Sequence, residues 1–198
     1  CGNFALWSDI IYHEYTHGTI YHIYDLGGTI DCSSEGDAMH EGFSDYFAAT
    51  INDNSCMAED FDGATCMRDL DNTLRYPADI VGECHNDGEL FSGALWDLRT
   101  SLGTSDADEL IMYGIKAETQ NFEDYLDAIL AIDDDDGNLS NGTPNITDIC
   151  DAFATNHGIV TSNCAGYTTE PIVEINTPSD TVYHKQDIIN VTGTAYQS

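Results

Sequence analysis

His13-Glu14-Tyr15-Thr16-His17 sets two imidazoles four residues apart with a carboxylate directly after the first. On a helix, positions i and i+4 share a face, so the two rings can grip one cation together. Glu14 then sits close enough to exchange a proton with a water beside that cation. Two nitrogens alone leave such a centre unfinished, because a catalytic zinc takes three protein ligands and keeps a fourth position open. Glu41, in Glu41-Gly42-Phe43-Ser44-Asp45, is the best third ligand. Asp45 lies four residues further along the same predicted helix and can accept from the far nitrogen of His13 or His17, fixing the ring.

Two helices must carry these groups. Residues 5–24 read as the first, with Leu6, Ile10, Ile11 and Ile20 near helical spacing and Gly27-Gly28 as the break. Residues 38–51 read as the second, with Met39, Phe43, Tyr46, Phe47 and Ile51 on its apolar side. Further helices are predicted over 87–102, 106–118, 122–132 and 145–157, and 52–83 reads as acidic loop. From residue 170 the composition turns β-branched, with Ile172, Val173, Ile175, Val182, Ile188, Ile189 and Val191 around a Pro178-Ser179-Asp180 turn. That tail reads as the opening strands of an immunoglobulin-like sandwich, too short to complete one. The expected class is mainly α, with a helical region over 1–168 and a linker plus truncated β unit over 169–198.

His13-Glu14-Tyr15-Thr16-His17-Gly18 followed by Glu41-Gly42-Phe43-Ser44-Asp45 resembles the gluzincin metallopeptidases, the thermolysin and fungalysin groups, with wording nearer the fungalysins. The resemblance implies the helical zinc-bearing lobe of a thermolysin-like (zincin) enzyme, with His13, His17 and Glu41 on zinc, Glu14 as general base and Asp45 behind a ligand. It extends to Arg68-Asp69-Leu70-Asp71-Asn72, where Arg68 would bind a substrate carbonyl. It reaches Cys84-His85-Asn86-Asp87-Gly88, where His85 would steady the tetrahedral intermediate. Asp9, one turn before His13, stands where that group uses an aspartate for structural calcium; Asp53, Glu59, Asp60 and Asp62 could assist it. The acidic run Asp133–Asp136 misses the spacing of an EF-hand and reads as a surface turn.

The chain also departs from the pattern. Only twelve residues precede His13, so the β-rich lobe that helps hold substrate in thermolysin-like enzymes is expected elsewhere, on a longer parent chain or an assembly. Tyr21 and Tyr24 do not match the spacing of the family's tyrosine donor, and Asp79 is the nearest candidate to orient His85. His22, His40, His157 and His184 are assigned no function.

Acidic residues number 36 against 5 basic ones, a formal charge of −31, which argues against a nucleic-acid partner. No apolar run is long enough to span a membrane. Seven cysteines without a Cys-x-x-Cys pair point to disulfides in an extracellular, oxidising setting. Cys56–Cys66 and Cys150–Cys164 are expected as local loops and Cys32–Cys84 as a longer link, leaving Cys1. Sequons stand at Asn138, Asn141, Asn145 and Asn190. The expectation is a secreted zinc endopeptidase acting on peptide or protein through a zinc-activated water, with calcium as a candidate second metal. The alternative is an extracellular binding or structural module with an idle zinc site, against which the intact Glu14 speaks.

Overall fold

The computed structural model describes residues 4–24, 32–61 and 65–165, and the backbone of 172–175 and 193–196. It is mainly helical. Helix α1 (Ser8–Ile23), preceded by a 3-10 turn at Phe4–Leu6, lies against α2 (Glu35–Asn52), and α2 lies against α3 (Cys84–Leu102). Helices α4 (Thr104–Ile115), α5 (Phe122–Asp133) and α6 (Ile146–Cys150) close the far side, and α6 runs on into a wider π-helical turn at Asp151–Asn156. Two short strands, β1 (Cys56–Met57) and β2 (Arg68–Asp69), pair antiparallel with Met57 opposite Arg68.

The helix starts have local causes. Helix α2 begins three residues before the expected 38, because Ser34 and Asp37 form a reciprocal capping box. Helix α3 begins at Cys84 rather than 87, because the Glu83 carboxylate accepts from the Asn86 N–H at 3.0 Å. Asp87 adds to that start by accepting from the N–H groups of Val81 (2.8 Å) and Gly82 (2.9 Å).

The core is aromatic where α2, α3 and α5 meet. Phe43 packs edge-on to Phe91 with centroids 5.1 Å apart, and Phe91 stacks on Phe122 at 5.1 Å. Beside this cluster the two central helices touch backbone to backbone. A Cβ on Gly42 would stand 2.8 Å from the Gly88 carbonyl oxygen, and one on Gly88 would stand 2.8 Å from that of Ala38. Only glycine fits at both points, so Glu41 and the start of α3 are brought close.

Three disulfides are present, Cys32–Cys84, Cys56–Cys66 and Cys150–Cys164, with Cα separations of 4.7, 5.2 and 5.4 Å. Cys1 lies outside the described residues. In the tail, β3 (Ile172–Ile175) and β4 (Gly193–Tyr196) pair antiparallel. The remainder of 169–198, including Val182 and Ile188–Val191, and with it the sandwich expectation, lies outside the described residues. Among the described residues no helix is long and apolar enough to cross a membrane.

Candidate metal centre and its cavity

Helix α1 turns His13 and His17 to one face, and α2 brings Glu41 up to it. His13 Nε2 and His17 Nε2 lie 2.9 Å apart. Glu41 Oε2 is 3.2 Å from the first, and Oε1 is 3.5 Å from the second. Glu41 Oε2 is buried with no hydrogen-bond partner among the described residues. A tetrahedral cation with ligand bonds of about 2.0–2.1 Å, such as zinc, holds neighbouring donor atoms roughly 3.3 Å apart. The three separations straddle that distance, and two imidazole nitrogens with one carboxylate are a donor set zinc takes, so these residues fit such an ion.

Behind the ligands the partners differ. His13 Nδ1 faces Asp45 Oδ1 at 2.7 Å. Asp45 is fully buried and is held on its other side by Arg68, whose Nε donates to Oδ2 at 2.6 Å and Nη2 to Oδ1 at 2.7 Å. Burial alone would raise the Asp45 pKa, but Arg68 first and His13 second hold it below the usual carboxylate range. For His13, burial works to lower the pKa; the hydrogen bond to Asp45 and the nearby Glu41 carboxylate outweigh it and push it up to about 9. Burial likewise opposes the charge on Glu41, and the adjoining His13 and His17 rings hold its pKa far down. The far nitrogen of His17 meets no carboxylate. Its Nδ1 lies 2.7 Å from His40 Nδ1 and 3.0 Å from Ser44 Oγ. Burial lowers the His40 pKa to about 4.

Strand β2 reaches the site because Asp69 N–H donates to Glu89 Oε1 at 2.9 Å, pinning the strand to α3. His85, in the first turn of α3, is half exposed, and its Nε2 is 3.6 Å from Glu41 Oε2. Its Nδ1 pairs with Glu83 Oε1 at 2.7 Å. The His85 ring is the first cause of a lowered pKa at Glu83. Glu83 thus divides its oxygens, one on His85 and one on the helix start. Asp79, the candidate for that partnership, instead accepts from the Arg75 N–H at 2.7 Å.

His13, Glu14, Arg68 and His85 line one cavity of about 300 Å³, and Phe4, Ile10, Met57 and Met67 form its apolar wall. A larger hollow of about 460 Å³, lined by Asp106, Tyr113 and Asp133 among others, contains none of these side chains. Tyr21 rests on the His40 ring with centroids 4.9 Å apart, and Tyr24 is buried; neither lines the 300 Å³ cavity.

The remaining candidates have other partners. Asp9 is buried, with Oδ2 accepting from the Ala58 N–H and Oδ1 from that of Ile10 at 3.1 Å. It joins no cluster of three ligating side chains among the described residues; Asp62 lies outside them. Cys32 and Cys84 converge with Glu83 and His85, but their sulfurs are bonded to each other and cannot ligate as thiolates. In the acidic turn, Asp133 accepts from Thr143 Oγ1 (2.5 Å), Asn145 N–H (2.7 Å) and Asn145 Nδ2 (2.6 Å), tying the loop to α5.

No motif in the sequence marks Glu83 or the apolar wall, and His40, assigned no function from the sequence, lies against a candidate ligand. A glutamate at a helix start, where serine, threonine, aspartate or asparagine is usual, is the one local signal that could have marked Glu83. His40 meets His17 across 23 residues, which no spacing rule reveals.

Compared with known families, residues 2–76 match the model described as fungalysin metallopeptidase (M36). No curated protein matches the chain significantly. The matched stretch contains His13, Glu14, His17, Glu41, Asp45 and Arg68, while Glu83 and His85 follow it. It supports a metallopeptidase of the fungalysin type, a hydrolase of peptide bonds.

Proposed function

We propose that this chain carries the catalytic site of a secreted zinc endopeptidase. The observation behind this reading is the convergence of His13 Nε2, His17 Nε2 and the Glu41 carboxylate beside a cavity lined by His13, Glu14, Arg68 and His85. His13, His17 and Glu41 would hold the ion. Zinc, when bound, supplies Lewis-acid polarisation of the scissile carbonyl and makes water easier to deprotonate. Glu14 takes the proton of the attacking water and later delivers it to the leaving amine. His85, oriented by Glu83, donates a hydrogen bond to the oxygen that becomes negative in the tetrahedral intermediate. Asp45 keeps the His13 proton on Nδ1, so that Nε2 stays free for the metal. Arg68, with two donors on Asp45, borders the cavity and would orient a substrate carbonyl.

The Phe4, Ile10, Met57 and Met67 wall favours an apolar substrate side chain next to the scissile bond, with the sulfur-containing side chains adapting to its shape. The three disulfides are consistent with an extracellular setting.

Zinc content and peptide cleavage, measured together on the wild type and Glu14→Gln, test the reading. We expect about one zinc per chain in both, and turnover at least about a hundredfold lower in the variant, the lower bound for loss of a general base. If Glu14→Gln cleaves as fast as the wild type, or if the parent assembly binds zinc without hydrolysing peptides, the reading fails.

A further inference from the structure

His40 stands one residue before Glu41 and is 2 % exposed. The chemistry above leaves it without a part. Yet its ring meets that of His17 edge to edge and nearly in plane, centroids 4.8 Å apart and planes 24° from parallel. Its Nδ1 lies 2.7 Å from His17 Nδ1, while its Nε2 is buried with no hydrogen-bond partner among the described residues. A side chain present for packing alone has no use for a second ring nitrogen that finds nothing to bond.

Two ring nitrogens at that distance share one proton, since facing lone pairs repel and so do facing N–H groups. Which ring owns it is decided on the far side of His17. A neutral imidazole has one N–H and one lone pair, so Nε2 can ligate only when the proton sits on Nδ1. In the reverse arrangement His40 donates, His17 carries its proton on Nε2, and that nitrogen cannot bind a cation.

We propose that His40 is the positioning residue of His17: its Nδ1 lone pair accepts the His17 Nδ1 proton and holds His17 in the tautomer whose Nε2 binds zinc. This rests on the zinc-site reading above. The proton of His40 is then on Nε2, the buried nitrogen without a partner. Ser44 Oγ, whose own proton goes to the His40 carbonyl at 2.9 Å, is the competing acceptor, but it lies further from His17 Nδ1, at 3.0 Å. The two ligands are thereby backed differently, His13 by an anion and His17 by a neutral ring. A carboxylate at position 40 could also accept the proton, but it would add a third buried negative charge beside Glu41 and Asp45.

Zinc affinity by chelator competition on the wild type, His40→Leu, His40→Asn and Ser44→Ala tests this, with thermal melts of the zinc-free proteins as the folding control. We expect His40→Leu to bind zinc about 10- to 100-fold more weakly. His40→Asn, which restores an acceptor oxygen, should recover most of that loss, and Ser44→Ala should lose less than His40→Leu. Long-range ¹H–¹⁵N spectra of the zinc-loaded wild type should show His17 protonated on Nδ1 and His40 on Nε2. That spectrum decides the matter even if His40→Leu does not fold. Unchanged affinity in a folded His40→Leu, no advantage of Asn over Leu, or His40 protonated on Nδ1 would each overturn the proposal. A wild type that takes up no zinc would overturn the zinc-site reading too, whereas failure confined to the His40 variants leaves that reading standing.

Discussion

Arg68 is bound on two of its nitrogens by a carboxylate that is itself out of solvent. Removing the guanidinium therefore leaves Asp45 with His13 as its only partner among the described contacts. Breaking a buried pair in this way costs about 3–5 kcal/mol, far more than loss of an exposed ion pair. Urea unfolding of zinc-free Arg68→Leu should show a loss of that order. Arg68→Leu with Asp45→Leu should lose clearly less than the sum of the single changes. A loss below about 1 kcal/mol for the single variant would mean that Arg68 acts only on substrate. The sequence made Asp45 and Arg68 visible separately, each through a motif. Their pairing was not legible, because an acidic chain offers an arginine many partners and only the fold selects one. Glu83 and His40 escaped for a related reason: one looked like loop acidity, and the other became significant only through a neighbour on a different helix.

Helices α1, α2 and α3 were legible in the sequence, with the starts of α2 and α3 misplaced because a cap rather than an apolar residue sets them. Ser34-Glu35-Gly36-Asp37 hides its capping box because aspartate replaces the more familiar glutamate or glutamine. What periodicity could not give is the closeness of α2 to α3. That contact depends on Gly42 and Gly88, and neither leaves room for a methyl group without a backbone shift. Gly88→Ala should part the two helices, moving Glu41 relative to His85 and loosening the Phe43–Phe91 contact. Overpacking of this kind costs about 1–3 kcal/mol, and here it should also weaken zinc binding. Chelator competition alongside a thermal melt checks both effects. Full zinc affinity with normal stability in Gly88→Ala would show that the helices can yield without disturbing the ligands. The β1–β2 pair, two residues on each strand, lay beyond any periodicity; the Cys56–Cys66 spacing was its only trace in the sequence.

The composition alone predicted an acidic molecule, and among the described residues little positive charge is left over. All three arginines have acceptors within the chain. Arg68 is on Asp45, Arg75 Nη1 donates to the Thr155 and Asn156 carbonyls at 2.7 and 2.6 Å, and Arg99 Nη2 donates to Asp53 at 2.5 Å. Lys116 lies over the Tyr113 ring, 4.4 Å from its centroid. With a formal charge of −31, these pairings leave a strongly negative field around the molecule. The neutralised Arg68 has a kinetic consequence. The cavity borders a cation that attracts little from a distance, so encounters with substrate follow the field of the whole molecule rather than that of its mouth. Lysine-rich peptides should be drawn in and glutamate-rich ones turned away before any side chain is read. On a matched pair of such peptides, kcat/KM should fall with added salt for the first and rise for the second, the two converging as the screening length shrinks from about 30 Å at 0.01 M to about 3 Å at 1 M. Preference among peptides would then belong as much to the ionic strength of the surroundings as to the shape of the pocket.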